Sequence, residues 1–270
     1  MGNRLANMQK PAYKEIAREA RLKVLEMIFK AQSSHVGSNF SCIDILAVLF
    51  EKMDLKNDEF VLSKGWAAAS IYHFLAEKGL IPKEDLLRFC QPDEEKYIGL
   101  IEPMGVFGAR CAGGSMSYGL PFGVGMALAK KLNGESGRVY VLMSDGEVDC
   151  GTNWEAVNIA KRFKLNNLFV IVDHNKFQAM GYTKDILNIN PVSLFSECAA
   201  MRVDGHDVDN LLHAFNLKMP KPAKDLPVVL FAETVKGKGV SFMENNNDWH
   251  YRAPNQDEYE QAKKELCQTS

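Results

Sequence analysis

The sequence has no apolar run approaching the roughly 20 residues that a membrane-spanning helix needs, which removes a transmembrane reading. It has no Cys-x-x-Cys pair either. Its six cysteines, Cys42, Cys90, Cys111, Cys150, Cys198 and Cys267, are scattered in a pattern that suits neither a zinc site nor a small disulfide scaffold. Reduced thiols and a cytoplasmic location are the expectation for a chain of this size. A surplus of one charge is also missing: 32 Lys+Arg stand against 34 Asp+Glu. No global field therefore draws the protein to nucleic acid or to an anionic membrane. The opening MGNRLANMQKPAYKE lacks the apolar core of a signal peptide. Ala6 stands where N-myristoylation requires Ser or Thr. Internal repeats, low-complexity stretches and linkers are absent, so residues 1–270 read as a single domain.

What is present is an alternation of helical and strand patterns along most of the chain. That alternation predicts an α/β fold with a mainly parallel sheet and helices on both faces. Ile16, Ala20, Val24 and Ile28 recur at four-residue steps and predict a helix over 12–31. Ser41, with Asp44 three residues on, is read as the cap of a helix from Cys42 to Lys52. A short strand over 60–63 precedes a helix over 66–78, and Pro82 suits the first turn of a helix over 82–90. Residues 91–118 read as loop, and 119–132 as a helix whose glycines allow close packing. The clearest unit is strand 138–143, helix 153–165, strand 168–173. A further strand is expected over 227–233 and a polar helix, capped by Asn255, over 256–267.

Ligands in open parallel sheets bind beyond the carboxyl ends of the strands. Asp145 and Asn175 fall at two such ends, thirty residues apart, the length of one strand–helix–strand crossover. Alone, each reads as an ordinary turn residue. Together, on neighbouring strands, a carboxylate and an amide oxygen form part of an oxygen shell suited to Mg²⁺, with positions left for phosphate oxygens. Gly146 lets a backbone N–H approach a phosphate with no side chain in the way.

The stretch SDGEVDCGTNWEAVNIAKRFKLNNLFVIVDHNKFQ resembles the thiamine diphosphate motif, which opens on Gly-Asp-Gly and closes some thirty residues later on Asn. Four flanking segments narrow the resemblance: SSHVGSNFSCIDIL at 33–46, EFVLSKG at 59–65, GGSMSYGLPFGVGMALA at 113–129 and KGKGVSFMEN at 236–245 are similar to the N-terminal half of transketolases. The resemblance runs from about residue 12 to 262. It implies that Asp145, Asn175 and the carbonyl of Phe177 hold Mg²⁺ (or another divalent cation such as Ca²⁺ or Mn²⁺). It implies that Gly146 and His250 meet the diphosphate, and that Gly114, Ser115, Met116, Glu147 and Trp66 lie along the cofactor. His35 matches the position that meets substrate near the reactive carbon, and Glu155 a glutamate near the subunit contact. In transketolases the glutamate that activates the cofactor belongs to a second domain, which these 270 residues do not carry. The resemblance therefore implies a split enzyme. This chain would pair with a C-terminal transketolase-like subunit bearing the pyrimidine-binding domain, associate with itself through the family interface, and act on small sugars only in that assembly.

Several positions depart from the family pattern. Trp66 follows SKG where a histidine is usual, Leu100 stands near another expected histidine, Ser117 and Tyr118 replace a Gly-Gln turn, Cys150 replaces a glutamate, and Ser144 replaces the first glycine of the motif. Two lost histidines remove donors around substrate hydroxyls, which implies a substrate other than the usual sugar phosphates. The leading expectation is transfer of a two-carbon ketol unit from a ketose to an aldehyde. The alternatives are a carboligase resembling deoxyxylulose-phosphate synthase and a non-catalytic paralogous subunit.

Overall fold

A computed structural model describes residues 10–114, 116–217 and 223–268. Two helices, α1 (Lys10–Ala31) and α2 (Val36–Lys52), lead into strand β1 (Glu59–Leu62), and helix α3 (Ala68–Glu77) follows. A long loop then reaches α4 (Gly119–Asn133), strand β2 (Val139–Ser144), α5 (Gly151–Arg162) and β3 (Leu168–His174). A small hairpin, β4 (Phe177–Gln178) and β5 (Gly181–Tyr182), and two single turns, α6 (Thr183–Ile186) and α7 (Pro191–Leu194), precede β6 (Ala199–Asp204). The chain continues through α8 (Val208–Asn216) and β7 (Val228–Glu233) to α9 (Gln256–Gln268).

Five strands form one sheet in the order β1-β2-β3-β7-β6, every neighbouring pair parallel. Side chains alternate across a strand, and here both faces are apolar. Tyr140, Leu142, Phe169, Ile171 and Leu230 enter the core shared with α1, α2, α3 and α8. Val139, Val141, Val170, Val172 and Val229 enter a second core beneath α4 and α5. A parallel sheet covered on both faces needs such continuously apolar strands. The α/β class expected from the sequence is the one observed.

The departures from expectation have local causes. Helix α2 starts at Val36, so Ser41 lies inside it; the Ser41 hydroxyl donates to Asp173 Oδ2 at 2.6 Å and caps nothing. Tertiary burial from Val36 to Phe50 decides the start, overriding the local Ser/Asp signal. The helix expected over 82–90 is a six-residue 3-10 helix, Lys83–Arg88, which ends where Phe89 leaves the helical region (φ −48°, ψ 122°). The helix expected over 153–165 runs Gly151–Arg162. Strand β6 and helix α8 carried no expectation. β6 is an edge strand with only alternate residues turned inward, so its AAMRVD lacks an apolar run. For α8 a signal did exist: the Asp207 side chain accepts from Asn210 N at 3.0 Å, ahead of Val208, Leu211 and Phe215.

One ion-pair cluster ties α2 to its neighbours. Arg21 on α1 donates to both Asp44 oxygens, at 3.1 and 2.6 Å, and His206, after β6, approaches Asp44 Oδ2 through Nδ1 at 2.6 Å. Burial by itself raises the Asp44 carboxyl, but the Arg21 charge and the His206 and Arg21 hydrogen bonds outweigh it and hold the carboxyl well below the usual range. A depressed carboxyl stabilises the folded state above the unfolded-chain pKa of about 3.9 and loses that contribution as pH falls. Asp44→Asn is expected to cost about 2–4 kcal/mol in urea unfolding at neutral pH. The wild-type and variant stabilities should converge as pH is lowered below about 4. A gap that stays constant with pH would exclude the ion cluster as its source.

Candidate functional site

The carboxyl ends of β1, β2, β3 and β7 converge on one buried carboxylate, Asp173. It receives the Lys64 ammonium, the Ser41 hydroxyl at 2.6 Å, the Thr234 hydroxyl and, at 3.4 Å, the Asn175 amide. Lys64 also donates to Ser38 O at 2.9 Å. Burial disfavours both charges, yet the pair keeps Lys64 above and Asp173 below their ordinary pKa ranges. Each is the answer to the other's desolvation.

Around this pair the expected metal ligands come together. β2 pairs with β3 up to Ser144 opposite Asp173, so the residues after the two strands emerge side by side. Asp145 Oδ2 accepts from Lys176 N at 2.5 Å and Oδ1 from Gly146 N at 2.9 Å. Asn175 Oδ1 accepts from Phe177 N at 3.0 Å, a tight turn that keeps the amide oxygen beside the Phe177 backbone. Burial first, then the charge of Asp173, raises the Asp145 carboxyl to about 7. Lys64 is already committed to Asp173, so Asp145 is left short of positive charge. A divalent cation seated on these oxygen atoms would supply what is missing. Among the described residues no group of three or more His, Cys, Asp or Glu forms a metal cluster. One carboxylate, one amide and one carbonyl are not a set of that kind.

A cavity of about 440 Å³ opens over the turn, lined among others by Ser38, Lys64, Gly146, Asn175 and Phe177. Its opposite need is anionic. Lys236 Nζ contacts His250 Nδ1 at 2.8 Å and donates to Asn247 Oδ1 at 2.7 Å. Burial and then the charge of Lys64 lower Lys236 to about 8. Burial and then Lys236 lower His250 to about 3 and His35 to about 4. At neutral pH His250 is thus a neutral acceptor to Lys236 through Nδ1, with Nε2–H left as a donor. The Lys236 ammonium and two neutral imidazoles suit an anionic ligand such as a diphosphate, which would offset part of the neighbouring positive charge that adds to burial in lowering them. Gly146 is a cradle position: a β-carbon there would stand 3.0 Å from Gln178 Cβ. The Gly146 N–H itself is turned to Asp145.

His35, the expected catalytic residue, lies in the cavity wall at the N-cap of α2, in the left-handed conformation (φ 70°). Its N–H donates to His250 O at 3.0 Å, Ser34 Oγ lies 2.5 Å from its Nδ1, and its ring stacks on Trp66 with centroids 4.6 Å apart. Trp66 and Met116 line the same cavity. Gly114 takes φ 65°, and a β-carbon there would strike the Tyr118 ring at 2.5 Å, so the loop folds flat only with glycine. Ser115 lies outside the described residues. Glu147 is buried below the cavity, accepting from Ser63 Oγ at 2.5 Å, Ser144 N at 2.7 Å and Ser117 N at 3.0 Å, so it joins three loops. Glu155 is exposed on α5, away from the cavity lining.

The sequence reading missed the roles of Lys64, Asp173 and Lys236. A signal existed for Asp173, the one acid closing the apolar run LFVIV. Lys64 and Lys236 sit in SKG and KGKG segments but carry no pattern that announces burial.

A parallel α/β domain with a carboxylate, an amide and buried basic groups gathered at adjoining strand ends is of the class that binds ligands beyond the carboxyl edge of its sheet. The domain family described as "Transketolase, thiamine diphosphate binding domain" matches residues 12–269, and the chain belongs to that family. It is 35% identical to an apulose-4-phosphate transketolase subunit of Actinobacillus succinogenes over 271 residues, covering 94% of this chain and 97% of that one. It is 34% identical to the 6-deoxy-6-sulfo-D-fructose transketolase subunit SqwG of a Clostridium species, covering 83% and 85%. Against human transketolase identity is 33%, over 88% of this chain but 39% of that protein. The crystal structure of Campylobacter jejuni transketolase superposes with a TM-score of 0.87 at 27% identity, covering 96% of this chain and 43% of that one. The chain thus spans about two fifths of the full-length transketolases it matches.

Removing one member of the central ion pair leaves the other buried and uncompensated. Lys64→Met is expected to cost about 3–5 kcal/mol in urea unfolding. Adding Asp173→Asn to it should recover part of the loss, and a double variant as unstable as the sum of the singles would deny the coupling.

Proposed function

We propose that this chain is the diphosphate- and metal-binding subunit of a two-chain transketolase-like enzyme. It would move a two-carbon ketol unit from a ketose to an aldehyde: one carbon–carbon bond of the donor breaks, one to the acceptor carbonyl carbon forms, and the exchange is redox-neutral. The observation that carries the reading is one cavity lined by Gly146, Asn175 and Phe177 on one side and by His35 and His250 on the other, with Asp145 beside Gly146 and Lys236 held behind His250 at 2.8 Å. A magnesium diphosphate answers both at once; Ca²⁺ or Mn²⁺ suits the same oxygens.

In this assignment Asp145, Asn175 and the Phe177 carbonyl hold the metal. Lys236, His250 and Gly146 meet the diphosphate, and Gly114, Ser115 and Met116 lie along the thiamine, with Trp66 on the far wall. Glu147 supports the site by fixing the loops that carry it. Thiamine diphosphate, when bound, supplies a carbon nucleophile and an electron sink for bonds next to a carbonyl. His35, neutral because of burial and two nearby ammonium groups, can accept or share a proton at Nε2 beside the reacting carbon. The enzyme is proposed to work in the cytoplasm on small sugars.

Support for a partner comes from the outer face of α4. Phe122, Gly125, Ala129 and Leu132 recur on one exposed stripe, with exposed Ile159 and Phe163 and the acid Glu155 on neighbouring α5. Contiguous exposed apolar surface of this kind marks protein contact. We assign it to the assembly interface, both with the C-terminal partner chain and between copies of this one.

Two measurements test the reading. In the assembled complex, Asp145→Ala is expected to weaken thiamine diphosphate binding on the order of 100-fold, about 2.7 kcal/mol, by isothermal titration with Mg²⁺ present. Unchanged affinity would remove the metal assignment. Tagged chain drawn from its host should bring a second polypeptide in equal amount, and Phe122→Glu should reduce that yield; a chain that isolates only with itself would count against the two-chain enzyme.

A further inference from the structure

The basic side of the cavity is carried by a strap that leaves β7, residues 234–237. Lys236 is 1% exposed, and the course of the strap decides where its ammonium stands relative to His250 and Asn247. The strap is tied at several points. Thr234 N donates to His174 O at 3.2 Å, Gly237 N to Gly37 O at 3.0 Å, and the Thr234 hydroxyl to Asp173. Val235 N, immediately before Lys236, donates instead to a side chain, Nε2 of His206, at 2.8 Å.

His206 reaches the strap because two strand exits run together. β6 pairs with β7 up to Asp204 opposite Glu233, and Gly205 N then donates to Glu233 O at 2.8 Å. A β-carbon on Gly205 would stand 2.5 Å from Thr234 Cγ2, so the approach needs glycine. His206 N donates to Asp204 Oδ1 at 2.8 Å and turns the chain. The ring then bridges the strap to α2, where its Nδ1 lies 2.6 Å from Asp44 Oδ2.

This bridge admits one protonation state. A backbone N–H can only donate, so Nε2 must be the bare nitrogen and the ring proton sits on Nδ1, donated to Asp44. Arg21 holds Asp44 from its other side. A second proton, on Nε2, would set two donors face to face and leave Val235 N–H without an acceptor between two buried residues, Thr234 and Lys236. Solvent can deliver that proton, because the ring is partly exposed to a depression lined also by Lys14, Asp204, Asp207 and Asp209. Groups of both signs thus surround it: those four, with Asp44 and Arg21 from α2 and α1. From the strap comes Lys236, whose ammonium is engaged with His250 and Asn247.

We propose that His206 is a positioning residue for the basic side of the cavity: as the Nδ1–H tautomer it holds Val235, and through it Lys236 and His250, and a proton taken up at Nε2 releases them. The proposal rests on the reading of Lys236 and His250 as diphosphate contacts.

The test uses the assembled two-chain complex with Mg²⁺ in excess. His206→Ala is expected to weaken thiamine diphosphate binding about 10-fold at about pH 8 and to speed hydrogen exchange at the Val235 amide. His206→Gln offers an N–H to Asp44 and an oxygen to Val235 but takes up no proton, and should restore affinity to within about threefold of wild type. The ratio of wild-type to His206→Gln affinity should fall about 10-fold as pH is lowered from about 8 to about 5, in step with Nε2 protonation followed by nitrogen NMR of the ring. Taking the ratio cancels ionisations that both proteins share, those of the ligand and of Asp145 included. A ratio flat with pH, a ring carrying its proton on Nε2 at neutral pH, or Val235 exchange unchanged in His206→Ala overturns this proposal and leaves the diphosphate reading standing. Where His206→Ala does not fold, the His206→Gln ratio and the ring tautomer decide. A wild-type complex that binds no thiamine diphosphate overturns the diphosphate reading and this proposal with it.

Discussion

The buried pair of Lys64 and Asp173 is the constraint from which the site is assembled. Neither charge survives at that depth without the other, so the end of β1 and the end of β3 must meet. Ser41 and Thr234 satisfy the remaining oxygen capacity of Asp173 and thereby fix α2 and the exit of β7 to the same point. Four elements distant in sequence are held in register by one carboxylate. Lys64 is engaged there, and Asp145, at the end of the neighbouring strand, forms no ion pair of its own among the described residues.

That division of charge organises the cavity. A domain that satisfied every buried group internally would have no electrostatic reason to take a ligand. Here the acid end holds one carboxylate that Lys64 does not neutralise, and the basic end holds Lys236 and two imidazoles lowered by burial first and then by neighbouring positive charge. Each end would be costly if it stood alone in a low-dielectric interior. Set side by side at the strand ends, they are the arrangement on which the proposed metal–diphosphate site rests.

The sequence made the α/β class legible because a parallel sheet buried on both faces needs unbroken apolar strands, and VYVLM and LFVIV are of that type. The Asp145–Asn175 pairing was legible because crossover length fixes which strand ends adjoin. The family resemblance then supplied His250, which the residues alone present as part of a polar loop. What stayed illegible depended on tertiary contacts. Ser41 reads as a cap by every local rule, yet a buried carboxylate more than a hundred residues away claims its hydroxyl. β6 escapes notice because an edge strand wets one face, and Arg202 and Asp204 break its apolar run. Lys64 and Lys236 look like solvated lysines, since burial of a charge leaves no mark in composition.

The floor and the rim of the cavity differ in how freely they can change. Asp173, Lys64 and Asp145 each hold two or more partners, several of them buried, so a substitution there exposes other groups to desolvation without compensation. Trp66 and Tyr251 contact His35 through their rings and leave much of their surface to solvent, and replacing them strands no buried charge. A lineage can therefore alter what the rim accepts without disturbing how the floor binds. A floor that is costly to change beside a rim that is not is a physical reason for one domain to serve transketolase-like enzymes whose named substrates differ as much as apulose 4-phosphate and 6-deoxy-6-sulfofructose.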